Sequence, residues 1–141
     1  KLAEQFGLEH MIAHANYQPS SSTYARHTDF LGDMISNALK KDPKIGDLPW
    51  DLKNCCPKGM QGIRILIALT EWVPGHVFGF ENHYWIWKQG EGIKFDYANT
   101  RHYTANLSYT PRIFLKVSGF MPKNKNHWLY KNTKKIKHIK F

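Results

Sequence analysis

Cysteine is scarce in this chain of 141 residues: there are two, and they are neighbours, Cys55 and Cys56. Adjacent cysteines rarely bridge each other because the disulfide geometry is strained. Without a disulfide framework, we expect a protein of a reducing, cytoplasmic setting. A metal site built on the two thiolates is not favoured either, since no other cysteine or histidine lies nearby at the spacing of zinc ligands.

Long apolar runs are also missing. None approaches the roughly 20 residues that cross a bilayer, and no secretory signal is visible, so we expect no membrane partner. A phosphate-binding glycine loop, the G-x-S-x-G turn of serine hydrolases and a Cys/His dyad are absent as well. The sequence therefore gives no support to several common enzyme classes.

Acidic residues are few: there are 11, against 20 lysines and arginines, which gives a formal charge of +9. Seven lysines lie between Pro122 and Phe141, where there is no acidic residue, and removing them lowers the charge from +9 to +2. The excess thus belongs largely to a basic tail over residues 122–141, while residues 1–121 form the folded domain. The tail is either solvated or an arm that binds a partner, with nucleic acid as one possibility.

Apolar residues are plentiful, at 42% of the chain, and aromatic residues reach 14%, which is enough for a packed core. From Ile63 onward the pattern predicts short β-strands separated by turns. The predicted strands are 63–69, 77–80, 83–87, 93–97, 103–107 and 112–118. Many short strands with regular turns indicate a sandwich or barrel, so the predicted fold class is mainly β.

The N-terminal third is less regular. Leu8 to Ala15 is compatible with either a strand or a helix, and Tyr24 to Phe30 with a short extended segment. Apolar residues at helical spacing predict a helix over Leu31 to Lys41, which would decorate the sheets near the N-terminus. Residues 42–59 contain three prolines and two glycines and are predicted to form a long loop, the kind that often acts as a lid.

The most informative short pattern is His27-Thr28-Asp29. In a strand, residues i and i+2 point to the same face, so the imidazole and the carboxylate would project side by side. A second histidine, His102, begins a later strand. Two histidines and one carboxylate, with open positions left over, are the ligands of non-haem Fe(II) oxygenases. The sequence therefore predicts a metal site at His27, Asp29 and His102.

Arg112 opens an otherwise apolar strand ten residues after His102, so its charge needs a partner. A guanidinium offers a planar fork for bidentate binding of a carboxylate, which suits a dicarboxylate co-substrate. The alternative is an ion pair with Asp96 or Glu81.

Other histidines give weaker candidates. His76 and His83 flank an aromatic segment that contains Glu81, which suggests a cupin-type metal site, but the H-x-H spacing of such sites is missing. His10 and His14 would share one face of a helix, and two ligands alone make a weak metal site.

Two longer stretches carry a family resemblance. Tyr17-Gln-Pro-Ser-Ser-Ser-Thr-Tyr24-Ala-Arg-His27-Thr-Asp29 resembles the 2-oxoglutarate-dependent prolyl hydroxylases, in which a tyrosine, a loop of small residues and a second tyrosine lead into H-x-D. The stretch from Trp87 to Arg112 is similar to both the prolyl and the aspartyl/asparaginyl hydroxylases. In those enzymes a glycine-containing turn precedes a Phe-rich strand, the distal histidine and the arginine. The resemblance spans about residues 17–119.

The resemblance implies a double-stranded β-helix, which is a cupin-like jelly roll. It also implies residue roles: Fe(II) held by His27, Asp29 and His102, the distal carboxylate of 2-oxoglutarate bound by Arg112, and a co-substrate pocket lined by Tyr17 or Tyr24. Substrate contacts are expected from Trp50, in the candidate lid, and from Arg64, the one charge in the apolar run 63–69.

The implied function is an Fe(II)- and 2-oxoglutarate-dependent dioxygenase that consumes O2 and releases succinate and CO2. The resemblance points to hydroxylation of an amino-acid side chain in a protein or peptide, of the prolyl or aspartyl/asparaginyl type. Two alternatives stay open. One is the same chemistry on a nucleic acid or a small molecule, and the other is a cupin-like binding module without catalysis.

Overall fold

Two antiparallel β-sheets dominate the computed structural model of this chain, which describes residues 6–29, 35–36, 39–40, 43–51, 56–80, 83–123 and 139–140. The strands in these residues are β1 (Glu9–Gln18), β2 (Ser22–His27), β3 (Trp50–Asp51), β4 (Cys56–Pro57), β5 (Met60–Ala68), β6 (His76–Phe80), β7 (His83–Tyr84), β8 (Gly92–Phe95), β9 (His102–Asn106), β10 (Arg112–Pro122) and β11 (Ile139–Lys140).

The first sheet has the strand order β1-β10-β5-β8 and the second sheet has the order β11-β7-β6-β9-β2. A separate two-stranded pair joins β3 and β4. Both sheets mix strands from the two ends of the chain: β1 pairs with β10, and β2 pairs with β9. The N-terminal strands β1 and β2 therefore each form one edge of a sheet.

Strand β5 explains the nearly continuous apolar run of the sequence, because both of its faces are buried. Leu66 and Ala68 belong to the core between the two sheets. Ile63 and Ile65 face the other way and pack with Leu8, at the start of the described chain. A strand buried on both faces loses the apolar/polar alternation of a half-exposed strand.

Aromatic rings fill the space between the sheets. Phe114 of the first sheet lies 5.9 Å from Phe78 of the second, measured between ring centroids, and 5.4 Å from Trp85. Phe95 on β8 lies 4.9 Å from Phe80 on β6. Pairs of this kind contribute about 0.5–1.5 kcal/mol each beyond the area that they bury. The aromatic core thus holds the two sheets together.

Most of the strand predictions are confirmed, with shifts of up to four residues at their ends. The segment Leu8 to Ala15, which was compatible with either element, lies mostly within strand β1. Helical decoration is not supported: the described residues contain one complete helical element, a 3-10 helix at Pro43–Asp47. The helix predicted over Leu31 to Lys41 falls mainly on residues outside those described.

The long loop predicted over residues 42–59 contains that 3-10 helix and the β3–β4 pair. The buried thiol of Cys56 donates a hydrogen bond from Sγ to the Met60 carbonyl oxygen, 3.1 Å away. Cys55 lies outside the described residues. In the part of the chain that the structure describes, no helix has the length and apolarity to cross a membrane.

The basic tail is described only at its end. Strand β10 ends at Pro122, next to the predicted domain boundary, and Ile139 and Lys140 pair with Tyr84 and His83 of β7. The rest of the tail lies outside the described residues, so its binding of nucleic acid stays a prediction of the sequence.

A substitution at Gly62 would test how tightly the core is packed. A Cβ at this position would lie 2.6 Å from Cζ of Tyr97, whose side chain is fully buried. Gly62→Ala should lower the free energy of unfolding by about 1–3 kcal/mol, since a packed core resists added atoms. Urea denaturation measures the change. The matched control is Gly46→Ala, because a Cβ there meets only the end of the Leu39 side chain, at 3.2 Å. Equal stability of the two variants would contradict this packing.

Candidate metal centre

The pairing of β2 with β9 brings the two predicted histidine ligands together. His27 and His102 are register partners, and a register irregularity between Tyr24 and His27 sets this alignment. Their ring centroids are 4.5 Å apart. His102 is buried, with 5% of its surface exposed, whereas 40% of the His27 side chain is exposed. One histidine therefore lies inside the cavity and the other at its edge.

Asp29 completes the group just beyond the end of β2. Its backbone N–H donates a hydrogen bond to the Tyr97 carbonyl oxygen at 3.2 Å, which anchors the segment after the strand. Its carboxylate oxygens lie 3.3 Å from Nε2 of His102 and 3.7 Å from Nε2 of His27. The three ligand atoms all lie within 4.8 Å of one another. The three residues predicted from the sequence thus converge on one point.

Backbone carbonyls orient both imidazoles. Nδ1 of His27 lies 2.6 Å from the Ala25 oxygen, and Nδ1 of His102 lies 3.1 Å from the Thr100 oxygen. A carbonyl oxygen only accepts, so in each ring Nδ1 donates to the backbone, and Nε2 is the nitrogen that faces Asp29. This arrangement is typical of histidines that bind metals.

The electrostatic surroundings keep His102 neutral. Burial has the largest effect and lowers the pKa of His102; the hydrogen bond to the Thr100 carbonyl raises it, and the nearby charges of Arg64 and Lys116 have smaller lowering effects. Only the neutral imidazole ligates a metal. His102 is therefore in the protonation state that a metal site needs.

The donor set fits a divalent metal ion. Nitrogen and oxygen ligands lie about 2.0–2.2 Å from such an ion, so neighbouring donors end up roughly 3–4 Å apart. The separations of Asp29 from the two histidines already fall in this range. Two imidazoles and one carboxylate on one side leave the remaining positions open, as in non-haem Fe(II) centres.

Arg64 competes with a metal ion for the carboxylate of Asp29. Its Nη1 forms an ion pair with Oδ2 of Asp29, and its Nε donates to Oγ of Ser118 at 3.1 Å. The guanidinium also lies over the Tyr97 ring, 5.0 Å from the centroid. Burial lowers the pKa of Arg64 to about 10, while the nearby Tyr97 acts to raise it, so the group stays charged near neutral pH. The residue predicted to contact substrate thus contacts a candidate metal ligand.

A cavity of about 200 Å³ lies between the sheets and includes the three candidate ligands. Its charged groups are Asp29 and three cations, Arg64, Arg112 and Lys116, which leaves an excess of two positive charges when the histidines are neutral. The full lining consists of Asn16, Tyr24, His27, Asp29, Arg64, Leu66, Phe78, Phe95, His102, Thr104, Arg112, Phe114 and Lys116. The cavity therefore has a positive net charge.

Arg112 lines the cavity and donates hydrogen bonds to two protein groups. Nη1 donates to the Val77 carbonyl oxygen at 2.6 Å, and Nη2 donates to Oε1 of Gln18. The side chain is 2% exposed and lies over the Phe114 ring at 4.9 Å, and burial lowers its pKa to about 10. The alternative partner Asp96 instead accepts hydrogen bonds within its own turn.

The remaining predicted site residues separate into two groups. Tyr24 lines the cavity and is 57% exposed, so it lies at the mouth. Tyr17 is 59% exposed and follows Asn16, which lines the cavity, so the pleat turns Tyr17 to the opposite face of β1. Trp50 packs edge-on against Phe120, with centroids 5.9 Å apart, outside the cavity lining. The structure does not bring Tyr17 or Trp50 to the candidate ligands.

The competing histidine sites do not form a metal-binding group among the described residues. Nε2 of His76 lies 3.2 Å from the Thr110 carbonyl oxygen, and its ring stacks on Trp87. Glu81 lies outside the described residues. His10 and His14 are on a strand and not on a helix. His27, Asp29 and His102 are the one such group found in the described part of the chain.

Sequence reasoning missed Lys116. It lies on β10 four residues after Arg112, so strand alternation alone predicts that both side chains share the inward face. Burial lowers the pKa of Lys116 to about 8, with a further lowering effect of Arg64.

No protein-family model matches the chain, and no curated protein matches it. Among the solved structures that are similar in fold are the following two. A cupin protein from Bacteroides fragilis has a TM-score of 0.50 and 10% identity, over 94% of this chain and 85% of that one. The nickel complex of the non-heme monooxygenase ThoJ has a TM-score of 0.51 and 14% identity, over 86% of this chain and 48% of that one. This chain thus spans about half the length of ThoJ.

At such low identity the likeness establishes the fold and nothing about the reaction. The expected fold class is confirmed in its coarse form: the chain is mainly β, with antiparallel sheets arranged as in cupin proteins.

Removal of either histidine should weaken metal binding strongly. His27→Ala and His102→Ala should each lower the affinity for Ni(II) by at least about 100-fold, because losing a residue that merely orients a ligand already costs about 10–100-fold. Calorimetry on the purified chain measures the affinities. His83→Ala on β7, outside the cavity lining, is the matched control and should bind like the unaltered protein. Equal affinity in all of these proteins would mean that the ion binds elsewhere.

The buried charge of Lys116 should appear in the pH dependence of stability. Folding lowers its pKa from 10.5 to about 8, so between these values the unfolded chain binds more protons and the free energy of unfolding rises with pH. We expect a rise between about pH 8 and 9.5 that is smaller in Lys116→Met, measured by urea denaturation. Lys123→Met, with the same charge change at an exposed site, should keep the full rise. An identical rise in Lys116→Met would contradict the lowered pKa.

Proposed function

We propose that this protein is an Fe(II)- and 2-oxoglutarate-dependent dioxygenase that hydroxylates an amino-acid side chain in a protein or peptide. The observation that carries the proposal is the convergence of His27, Asp29 and His102 in one cationic cavity. Two histidines and one carboxylate with open positions are the donor set of non-haem Fe(II) oxygenases. ThoJ, whose fold is similar, is described as a non-heme monooxygenase, which supports oxidative chemistry at such a site.

The chain's own residues supply the ligands and their orientation. His102 and His27 present Nε2, since their Nδ1 atoms donate to backbone carbonyls, and Asp29 presents its carboxylate between them. When bound there, Fe(II) would supply the chemistry that activates O2. Aromatic residues of the core, Phe78 and Phe95 among them, line the inner cavity and exclude water from the reacting groups.

The charge of the cavity supports an anionic co-substrate. Three cations face one carboxylate, and a divalent ion on the histidines and Asp29 adds two further positive charges. Buried cations without counter-charges are costly, so the loaded cavity favours a dianion such as 2-oxoglutarate. The proposed reaction balances: one oxygen atom of O2 enters the new carboxylate of succinate as CO2 leaves, and the other is inserted into a C–H bond as a hydroxyl.

The size and position of the cavity support a side chain as the reacting group. Its volume of about 200 Å³ is below the roughly 300–1,000 Å³ of sites that enclose a drug-sized ligand. His27 and Tyr24 are partly exposed at its edge, so the centre is reached from solvent. A polymer that inserts one side chain would fit such a site, with the rest of the substrate outside.

The ion pair between Arg64 and Asp29 favours a second candidate, a cupin-like binding module without a metal. In this arrangement a guanidinium, and not a metal ion, neutralises the carboxylate. An Arg64→Met variant separates the two candidates. If Arg64 only competes with the ion, the variant should bind Ni(II) more tightly than the unaltered protein.

Turnover gives the direct test. The purified chain, supplied with Fe(II), 2-oxoglutarate, O2 and a mixed peptide library, should release succinate, and His102→Ala should reduce the rate to background because it removes a ligand. His83→Ala should keep the rate. Ni(II) binding without succinate release would limit the assignment to a metal site of another chemistry. No metal binding, even in Arg64→Met, would favour the binding module.

A further inference from the structure

We propose that Lys116 binds the anionic ligand of the cavity. When a 2-oxo diacid is bound, the ammonium of Lys116 holds its distal carboxylate, which is the one farther from the candidate metal centre. The identity of this ligand rests on the proposed function, whereas the presence of an anion subsite at Lys116 does not. The sequence pattern gave this role to Arg112.

The register of the first sheet places Lys116 inside the cavity. On β10 the side chains of Arg112, Phe114 and Lys116 alternate onto the inner face, and all three line the cavity. Lys116 is the register partner of Leu66, and Ser118 is the register partner of Arg64. Lys116 is therefore two residues, or roughly 7 Å along the strand, from the level of Ser118 and Arg64, where Arg64 contacts Asp29. This spacing suits a short ligand that is bound to the metal at its other end.

The three cations of the cavity differ in what they contact. Arg64 pairs with Asp29 and Ser118. Both terminal nitrogens of Arg112 donate to protein groups, Nη1 to Val77 and Nη2 to Gln18, and its buried Nε has no partner. The ammonium of Lys116 has no hydrogen bond or ion pair to any residue that the structure describes. Lys116 is thus the cation that is available to an incoming anion.

The role of Arg112 follows from the same contacts. Its guanidinium connects β1 to β6 through Gln18 and Val77, and it lies over the rings of Phe78 and Phe114. Gln18 also accepts a hydrogen bond from Thr104 of β9. Arg112 therefore links the two sheets at one end of the cavity, which is a structural role.

The surroundings of Lys116 explain why an anion would be stabilised there. Arg64 on β5 and His14 on β1 lie near it, and no carboxylate of the described residues pairs with it. Burial and Arg64 both lower the pKa of Lys116, because its charge is poorly compensated. A carboxylate that binds beside it restores that compensation.

The test compares two probes on Ni(II)-loaded protein by calorimetry. They are 2-oxoglutarate and 2-oxopentanoate, which has a methyl group in place of the distal carboxylate. Lys116→Met should weaken the binding of 2-oxoglutarate by about 10- to 100-fold, the range for loss of a charged hydrogen bond. The binding of 2-oxopentanoate should stay within about twofold. Lys116→Arg should restore most of the preference, and Lys123→Met should match the unaltered protein.

A preference for the diacid that is unchanged in Lys116→Met would overturn the proposal. A third probe, glutarate with metal-free protein, separates this failure from failure of the proposed function. If 2-oxoglutarate does not bind the loaded protein but glutarate binds the metal-free protein through Lys116, the anion subsite stands and the dioxygenase assignment falls. Urea denaturation of Lys116→Met checks that the variant is folded.

Discussion

The pairing of β9 with β2 on one side and with β6 on the other is the constraint on which the candidate site depends. It places His27 beside His102, although 74 residues separate them in the sequence. The pleat of β9 then turns His102 and Thr104 into the cavity together. A slip of one residue would turn both outward, so the register that builds the second sheet also builds the ligand group.

The charges that line the cavity are the second constraint on the candidate site. The cavity has one carboxylate and three cations, so Asp29 is contested between Arg64 and any ion that the histidines bind. An ion that took Asp29 would release the Arg64 guanidinium and increase the positive charge around it. Metal binding and anion binding are therefore expected to be coupled, each improving the other. A neutral molecule alone would leave the positive charges of this cavity uncompensated.

Local patterns predicted much of the fold and the ligand group. Apolar and aromatic runs separated by turns predicted the strands from β5 to β10, and the H-x-D spacing drew attention to His27 and Asp29, whose ligand atoms lie close together. What could not be predicted depends on distant contacts. Gln18 and Val77 accept hydrogen bonds from Arg112, and no local signal in the sequence shows these partners. Tyr17 lies outside the cavity lining because it is one residue out of phase with the inward positions of β1. Strand alternation along β10, counted from Arg112, would have predicted that Lys116 points inward.

The pairing of the N-terminal strands with distant partners has a consequence for biosynthesis. β1 pairs with β10 over a sequence separation of 94–111 residues, and β2 pairs with β9 over 75–84 residues. Contacts this distant along the chain make folding slow and delay it until β9 and β10 have been synthesised. The candidate ligand group of His27, Asp29 and His102 therefore cannot assemble before His102 has been made, and an ion that binds there would be acquired after that point.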